Sequence, residues 1–327
     1  MTGGDDDMIG CLVEIRDNAL AAVPPRWPAL REILAAALPD PLPPHTAIPL
    51  AMTRAAGGSL RDGVPFGVAW TIINAAVRII DDLGDDDSRH ALHRRVGVGR
   101  AVNYASALLQ LATLVLNALP AAMGRQDLVE EFAVASLQLA TGQDRDLGGE
   151  IVDVAAYVQL VEDKTCAGYQ FAGFGGARVV GAPPAVLAAC RAAGYHVGMV
   201  LQLLDDLESM WLPDGDLVHG RRTFPIWHGL AHVDHPASIE LRALVFGPSP
   251  HEHAERIRGV IHRLDAPRSV LAAALEERRL ALAALARCRE PAGHDLLASY
   301  FDFIFRDTAA LIAPPGGATA RLPGDGR

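Results

Sequence analysis

The sequence predicts an all-α fold, a single helical bundle closed around a deep central cavity. Three observations predict it. Half of the 327 residues are hydrophobic while only 6% are aromatic, and the apolar set is dominated by Ala and Leu, both strong helix formers. Helical periodicity runs through nearly every segment, and strand-like alternation bounded by turn signals is missing. Two aspartate runs, Asp81-Asp82-Leu83-Gly84-Asp85 and Asp205-Asp206-Leu207-Glu208-Ser209, are flanked by apolar, helix-like sequence, which places them inside the bundle.

Taken in order, residues 1–7 (MTGGDDD) read as a disordered N-terminus, and 8–22 and 26–37 as helices punctuated by Pro24-Pro25. Residues 38–48 form a Pro-rich loop. A long helix over about 63–84 leads into the first aspartate run, where Gly84, a poor helix residue, marks its end. A polar, basic loop continues to about 96. Helices then cover roughly 99–119, 126–144, 149–180 with a break, and 184–211. Residues 212–222 are a loop, more helices follow to about 312, and 313–327 read as a disordered tail. No solenoid repeat or interdomain linker interrupts the pattern, so 8–312 is predicted as one domain.

Composition excludes some classes. A formal charge of −10 argues against nonspecific nucleic-acid binding. The four cysteines, Cys11, Cys166, Cys190 and Cys288, show no metal-ligand spacing and read as reduced core residues of a cytoplasmic protein. The N-terminus is acidic where a targeting segment would be basic. No run of ~18 uncharged apolar residues is found, so no membrane span is expected.

The chemistry lies in the aspartates. On a helix, positions i, i+1 and i+4 fall on one side, so the carboxylates of Asp81, Asp82 and Asp85 converge. Alone they could be a solvated helix end, as could Asp85-Asp86-Asp87. Asp205-Asp206 alters the balance, because it follows the apolar stretch 198–204. Adjacent ionised aspartates late in such a helix are costly unless paired or metal-bound. Two facing clusters would hold several hard divalent cations, and carboxylate-bound Mg²⁺ with open positions is a means of gripping a diphosphate.

Six elements in order then resemble the trans-isoprenyl diphosphate synthases, the polyprenyl synthetase family. Asp81–Asp85 is similar to the family's first aspartate-rich motif, and Gln202 with Asp205-Asp206 to its second. Lys164-Thr165 resembles the mid-fold Lys-Thr pair, and Gly142-Gln143 with Asp146-Leu147 the Gly-Gln…Asp-Leu element before it. Arg221, Thr223 and Pro225 resemble a Lys-x-Thr-x-Pro element, with Arg for Lys. Gly57-Gly58 resembles the start of a Gly-Gly-Lys-Arg loop.

The resemblance implies an isoprenoid-synthase bundle, a homodimer, and three Mg²⁺ ions held by Asp81, Asp85 and Asp205, with Asp82 in the catalytic set. It implies an allylic diphosphate neutralised by Lys164 and Arg221, with Gln202 beside it. Arg94 and Arg95 match the family's Arg-Arg pair after the first motif, although Arg89 competes for that place. Departing pyrophosphate would leave an allylic carbocation, shielded from water in an apolar cavity. Small Ala76 and Val77 just before the first motif suggest a deep pocket. Phe171, with Trp70 and Phe174, is a candidate for its wall, or for plain core.

The departures are specific. Ser59 and Leu60 stand where the family loop has Lys and Arg, and Asn74 stands near where it has a His. Arg61 is offset by one residue. Ser209 replaces the last aspartate of the second motif. The allylic site is thus read as retained and the isopentenyl diphosphate site as degraded. The sequence-based expectation is a class I terpene-synthase-like enzyme that cyclises or quenches the cation. The alternative is chain elongation with isopentenyl diphosphate, or prenyl transfer to another acceptor. A third reading is a non-catalytic partner subunit, against which the intact first motif argues.

Overall fold

The structure, a computed structural model, describes residues 5–85, 91–149, 151–212, 215–288, 290–306, 308 and 311, with backbone only at 5–7 and 85. Among these residues there are helices and no strands. The helices are α1 (Asp5–Ala22), α2 (Pro28–Ala37), α3 (Ile48–Ala55), α4 (Leu60–Asp85), α5 (Leu92–Val96), α6 (Val98–Ala118), α7 (Arg125–Gly148) and α8 (Val154–Val161). They continue with α9 (Ala167–Arg178), α10 (Pro184–Ser209), α11 (Phe224–Leu230), α12 (Pro236–Val245), α13 (Ala254–Arg263), α14 (Ala266–Leu285) and α15 (Pro291–Ile304).

Local sequence explains most boundaries. Pro24-Pro25 separates α1 from α2, and α2 restarts with Pro28 at its first position, where the missing N–H costs nothing. Asp153 caps α8 by accepting the Ala156 N–H at 2.8 Å. Ser59 and Asp62 form a reciprocal capping box at the start of α4: Asp62 Oδ2 accepts the Ser59 N–H at 2.8 Å, and Ser59 Oγ accepts the Asp62 N–H at 3.3 Å. Some details differ from the sequence reading. α1 begins at Asp5, inside the stretch expected to be disordered. α3 was hidden next to the Pro-rich loop, and the loop after the first aspartate run contains α5. The expected disordered tail lies outside the described residues.

The chain forms two compact units. The first comprises Met1–Leu137, Gly168–Gly194 and Leu282–Tyr300, the second Gln138–Ala167, Tyr195–Ala281 and Phe301–Arg327. Their segments interleave, which is why no linker is visible in the sequence. In the first unit α4 is the central element, packed by α6, α1 and α3. Phe66, Ala69, Trp70, Ile72, Ile73 and Ala76 are all buried on it, as expected for a helix apolar around most of its circumference. In the second unit, Tyr157, Leu160, Trp227, Leu241, Ile257 and Ile261 form the core joining α8, α11, α12 and α13.

Hydropathy needs one correction. Three helices, α4 over Leu60–Gly84, α6 and α10, are long and apolar enough to cross a membrane by length and composition. In α4, 72% of the apolar window is buried within the protein, so packing accounts for its hydropathy; in α6 only 39% is buried. All four cysteines are free thiols.

Candidate active site

The Lys164-Thr165 pair sits in a π-helical turn, Glu162–Cys166, between α8 and α9. Such a turn inserts one residue into the helical ladder and re-aims the side chains it carries, and it is common at functional sites. Glycines receive it on two sides. A Cβ on Gly142 of α7 would come within 2.4 Å of the Lys164 backbone nitrogen, and one on Gly198 of α10 within 2.8 Å of the Cys166 Cα. The Gly of the Gly-Gln…Asp-Leu element is therefore required by close backbone approach. The aspartate of that element, Asp146, holds the Lys164 ammonium at 2.6 Å. On the same helix Arg145 pairs with Asp163 at 2.6 Å, and Gln138 donates to the other Asp163 oxygen at 3.1 Å. Two ion pairs of opposite polarity thus fix the π turn to α7.

Thr165 donates to Gln202 Oε1 at 2.7 Å, and Gln202 Nε2 donates to Asp206 Oδ1 at 2.8 Å. Asp206 Oδ2 also accepts the Tyr157 hydroxyl at 2.5 Å and the Phe224 N–H at 3.0 Å. Asp206 is 1% exposed. Burial pushes its carboxyl up to about 6, against the lowering effect of the three donors. Burial, and then the Asp206 charge, push the Tyr157 phenol well above its ordinary value. Asp205, its neighbour, is exposed. The two aspartates therefore have different jobs. Asp206 ties α10 to α8 and to the start of α11, while Asp205 presents its carboxylate outward.

The loop after α10 is fixed at several points. Arg258, on α13 and 8% exposed, donates to the Met210 carbonyl at 2.7 Å and the Leu212 carbonyl at 3.1 Å, and pairs with Glu255. It thereby ties α13 to the chain that follows α10, where the Leu212 carbonyl also accepts the Gly215 N–H at 3.2 Å. Ser209 donates to Asp216 Oδ2 at 2.5 Å, and Asp216 Oδ1 lies 3.4 Å from Arg221 Nη1. The adjacent Arg222 turns instead onto the Phe246 ring, at 4.5 Å. Of the two arginines, Arg221 is the one set among the polar groups.

In the first unit, Asp81 and Asp82 are half-buried in the last turn of α4, and the Asp85 side chain lies outside the described residues. Arg94 and Arg95 are exposed on α5, which packs on α4 and α6. Arg89 lies outside the described residues. Ala76 is fully buried and Val77 partly so. Phe171 is 2% exposed, with its ring 5.2 Å from Phe66 and 5.8 Å from Phe132. This packing is compatible with both of its sequence readings, pocket wall and plain core. At the positions that depart from the family loop, Ser59 joins a capping box, Arg61 pairs with Glu14 at 3.0 Å, and Asn74 donates to the Trp70 carbonyl at 2.9 Å.

Among the described residues no three His, Cys, Asp or Glu side chains form a preformed metal cluster. The donors nonetheless fit Mg²⁺, which takes one or two carboxylates, keeps several waters and completes its shell with substrate phosphate oxygens. Sequence reasoning missed Arg145, Asp163, Tyr157, Asp216 and Arg258. Apart from the Arg258–Glu255 pair, three residues apart, their partners lie 5 to 49 residues away, and among these only Asp216, close before Arg221, offered a local signal.

Asp81 and Asp82 thus stand near the end of α4 in the first unit, and Asp205 near the end of α10 and the anchored Lys164 in the second. Comparison with known proteins places the chain further. The family model "Polyprenyl synthetase" matches residues 46–261, and the chain belongs to that family. A geranylgeranyl diphosphate synthase of Mycobacterium tuberculosis is 27% identical over 220 residues, 63% of each protein. A (2E,6E)-farnesyl diphosphate synthase of Mycobacterium bovis is 29% identical over 203 residues, 57% of this chain and 56% of that one. The match thus spans less than two thirds of these relatives. In structure, the geranylgeranyl pyrophosphate synthetase of Pyrococcus horikoshii superposes with a TM-score of 0.79 at 20% identity, covering 91% of this chain and 97% of that one. A polyprenyl synthetase of Streptomyces coelicolor gives 0.78 at 22% identity, covering 91% and 98%. The all-helical fold expected from the sequence is thereby shown.

Proposed function

We propose that the protein is a magnesium-dependent prenyltransferase that ionises an allylic prenyl diphosphate, releases pyrophosphate and joins the allylic cation to the double bond of isopentenyl diphosphate, which loses a proton as the longer prenyl diphosphate forms. Family membership supports the class, and the relatives' names support elongation ahead of the cyclisation expected from the sequence. The observation that carries the proposal is the anchored lysine: Lys164 is held at 2.6 Å by Asp146 on a π turn that two glycines admit. Fixed cations aimed where charge develops act without reorganising during the reaction.

In this reading Asp81, Asp85 and Asp205 are the residues that would hold Mg²⁺, three ions in all. The bound metal neutralises the diphosphate and makes it a better leaving group. Lys164 and Arg221 accept the remaining negative charge as the C–O bond breaks. Asp206 does not reach substrate; it holds Gln202, Tyr157 and the Phe224 amide in register. The protein is proposed to work as a homodimer. The exposed apolar side chains of α6, Val98, Val102 and Leu114, are the proposed contact with a second copy.

A second reading has its own support. Ser59, Arg61 and Asn74 are bonded within the protein at the positions where an acceptor diphosphate would need cations. That favours a cation quenched by cyclisation, proton loss or water. One experiment separates the two. The purified protein is incubated with Mg²⁺ and geranyl, farnesyl or geranylgeranyl diphosphate, with and without isopentenyl diphosphate. The primary reading predicts longer prenyl diphosphates only when isopentenyl diphosphate is present. Hydrocarbons or alcohols in its absence would favour the second, and no turnover under either condition would defeat both.

A further inference from the structure

We infer that Ser209 is a positioning residue for Arg221, and that a hydroxyl, not the carboxylate of the family motif, is what this chain requires there. The inference rests on the proposal that Arg221 meets a diphosphate. Ser209 ends α10 and engages Asp216 twice, donating its hydroxyl to Oδ2 at 2.5 Å and accepting the Asp216 N–H at 2.9 Å. Asp216 in turn carries Arg221 twice. Its carbonyl accepts the Arg221 N–H at 2.9 Å, and its Oδ1 faces the guanidinium at 3.4 Å. Backbone and side chain of Arg221 therefore both hang from Asp216, and Asp216 hangs from Ser209.

The surroundings leave little freedom to move. The returning loop passes so close that a Cβ on Gly215 would lie 1.8 Å from the Ser209 carbonyl oxygen. Arg258 holds the Met210 and Leu212 carbonyls beside it. An aspartate at 209 could still accept the Asp216 N–H, but it would have no proton for Asp216 Oδ2 and would set a second carboxylate against it. Like charges at that range repel, and one of the two must shift away or take up a proton. Asp216 would turn and release Arg221. Ser209 is therefore not a metal ligand lost by drift; it is matched to Asp216.

The test uses the full chain and inorganic pyrophosphate with Mg²⁺, with affinity read by calorimetry and folding by thermal unfolding. Ser209→Ala removes one hydroxyl and is expected to weaken pyrophosphate binding about 3–10-fold, the range of a modest hydrogen bond. Ser209→Thr keeps the hydroxyl and is expected to remain within about twofold of the parent. Ser209→Asp is expected to weaken binding by about 10-fold or more. In an Arg221→Ala background, Ser209→Ala should have no further effect, because the interaction it supports is already gone. A purely structural role would not show that dependence. Unchanged or tighter binding by Ser209→Asp, or a full effect of Ser209→Ala without Arg221, would overturn the inference. If Ser209→Asp does not fold, the Ala and Thr variants and the double variant decide it. Failure of the unsubstituted protein to bind pyrophosphate would overturn the functional reading, and this inference with it.

Discussion

Asp205 and Asp206 are neighbours in one motif, yet one is exposed and the other is 1% exposed with three donors upon it. Their substitutions should separate. Asp206→Ala strands the Tyr157 hydroxyl, the Gln202 amide and the Phe224 N–H, and is expected to destabilise the protein by about 3 kcal/mol in chemical denaturation. Asp205→Ala, at an exposed position, is expected to cost clearly less, about 1 kcal/mol or below. Equal losses at both positions would contradict this division. The pair was legible in the sequence because two adjacent aspartates in an apolar helix demand an explanation. Which of them faces outward was not legible, since that depends on Tyr157 and Phe224, 49 and 18 residues away from Asp206. Lys164 was legible through its motif; the ion pair with Asp146 that fixes it was not.

Among the elements, the π turn at Glu162–Cys166 matters most to the site, and the sequence showed it only as a break in a long helical pattern. A one-residue insertion shifts the phase of the apolar face by about 100°, which reads as a break but does not say that the break is a π turn. Gly142 admits the turn. Gly142→Ala would drive a methyl to within 2.4 Å of the Lys164 nitrogen, with no flexible side chain to yield. The expected result is a loss of about 1–3 kcal/mol in stability, as for other overpacked sites, together with weaker pyrophosphate binding through displaced Lys164. Unaltered binding in a folded Gly142→Ala variant would show that the cradle is not what aims the lysine. Phe171 tests the neighbouring element. Packed between Phe66 and Phe132, Phe171→Ala is expected to cost about 3–5 kcal/mol and to leave the product chain length unchanged. A longer product from a stable variant would assign Phe171 to the pocket wall. Long helices such as α4, α6 and α10 were readable from periodicity. α3 and α5, with 8 and 5 residues, are too short to establish a period beside Pro- or charge-rich loops.

For the whole molecule, the helical class followed directly from composition and periodicity, and the family match over residues 46–261 agrees with it. The division into two interleaved units did not follow, because segments far apart in sequence join each unit and no linker marks the change. The proposed function assigns its charges to Asp81 and Asp82 on α4, Asp205 on α10, Lys164 on the π turn and Arg221 on its braced loop. In the proposed function the aspartates are needed to bring in the metal that would make pyrophosphate a better leaving group. The most direct measurement is Mg²⁺-dependent release of pyrophosphate from farnesyl diphosphate in the presence of isopentenyl diphosphate, comparing the parent protein with Asp81→Ala and Asp205→Ala. Release by the parent and a fall of at least about 10²-fold in both folded variants is predicted, the scale of removing one major electrostatic contributor to a transition state. Release that persists undiminished in both variants, or a parent protein that releases none, would contradict the account.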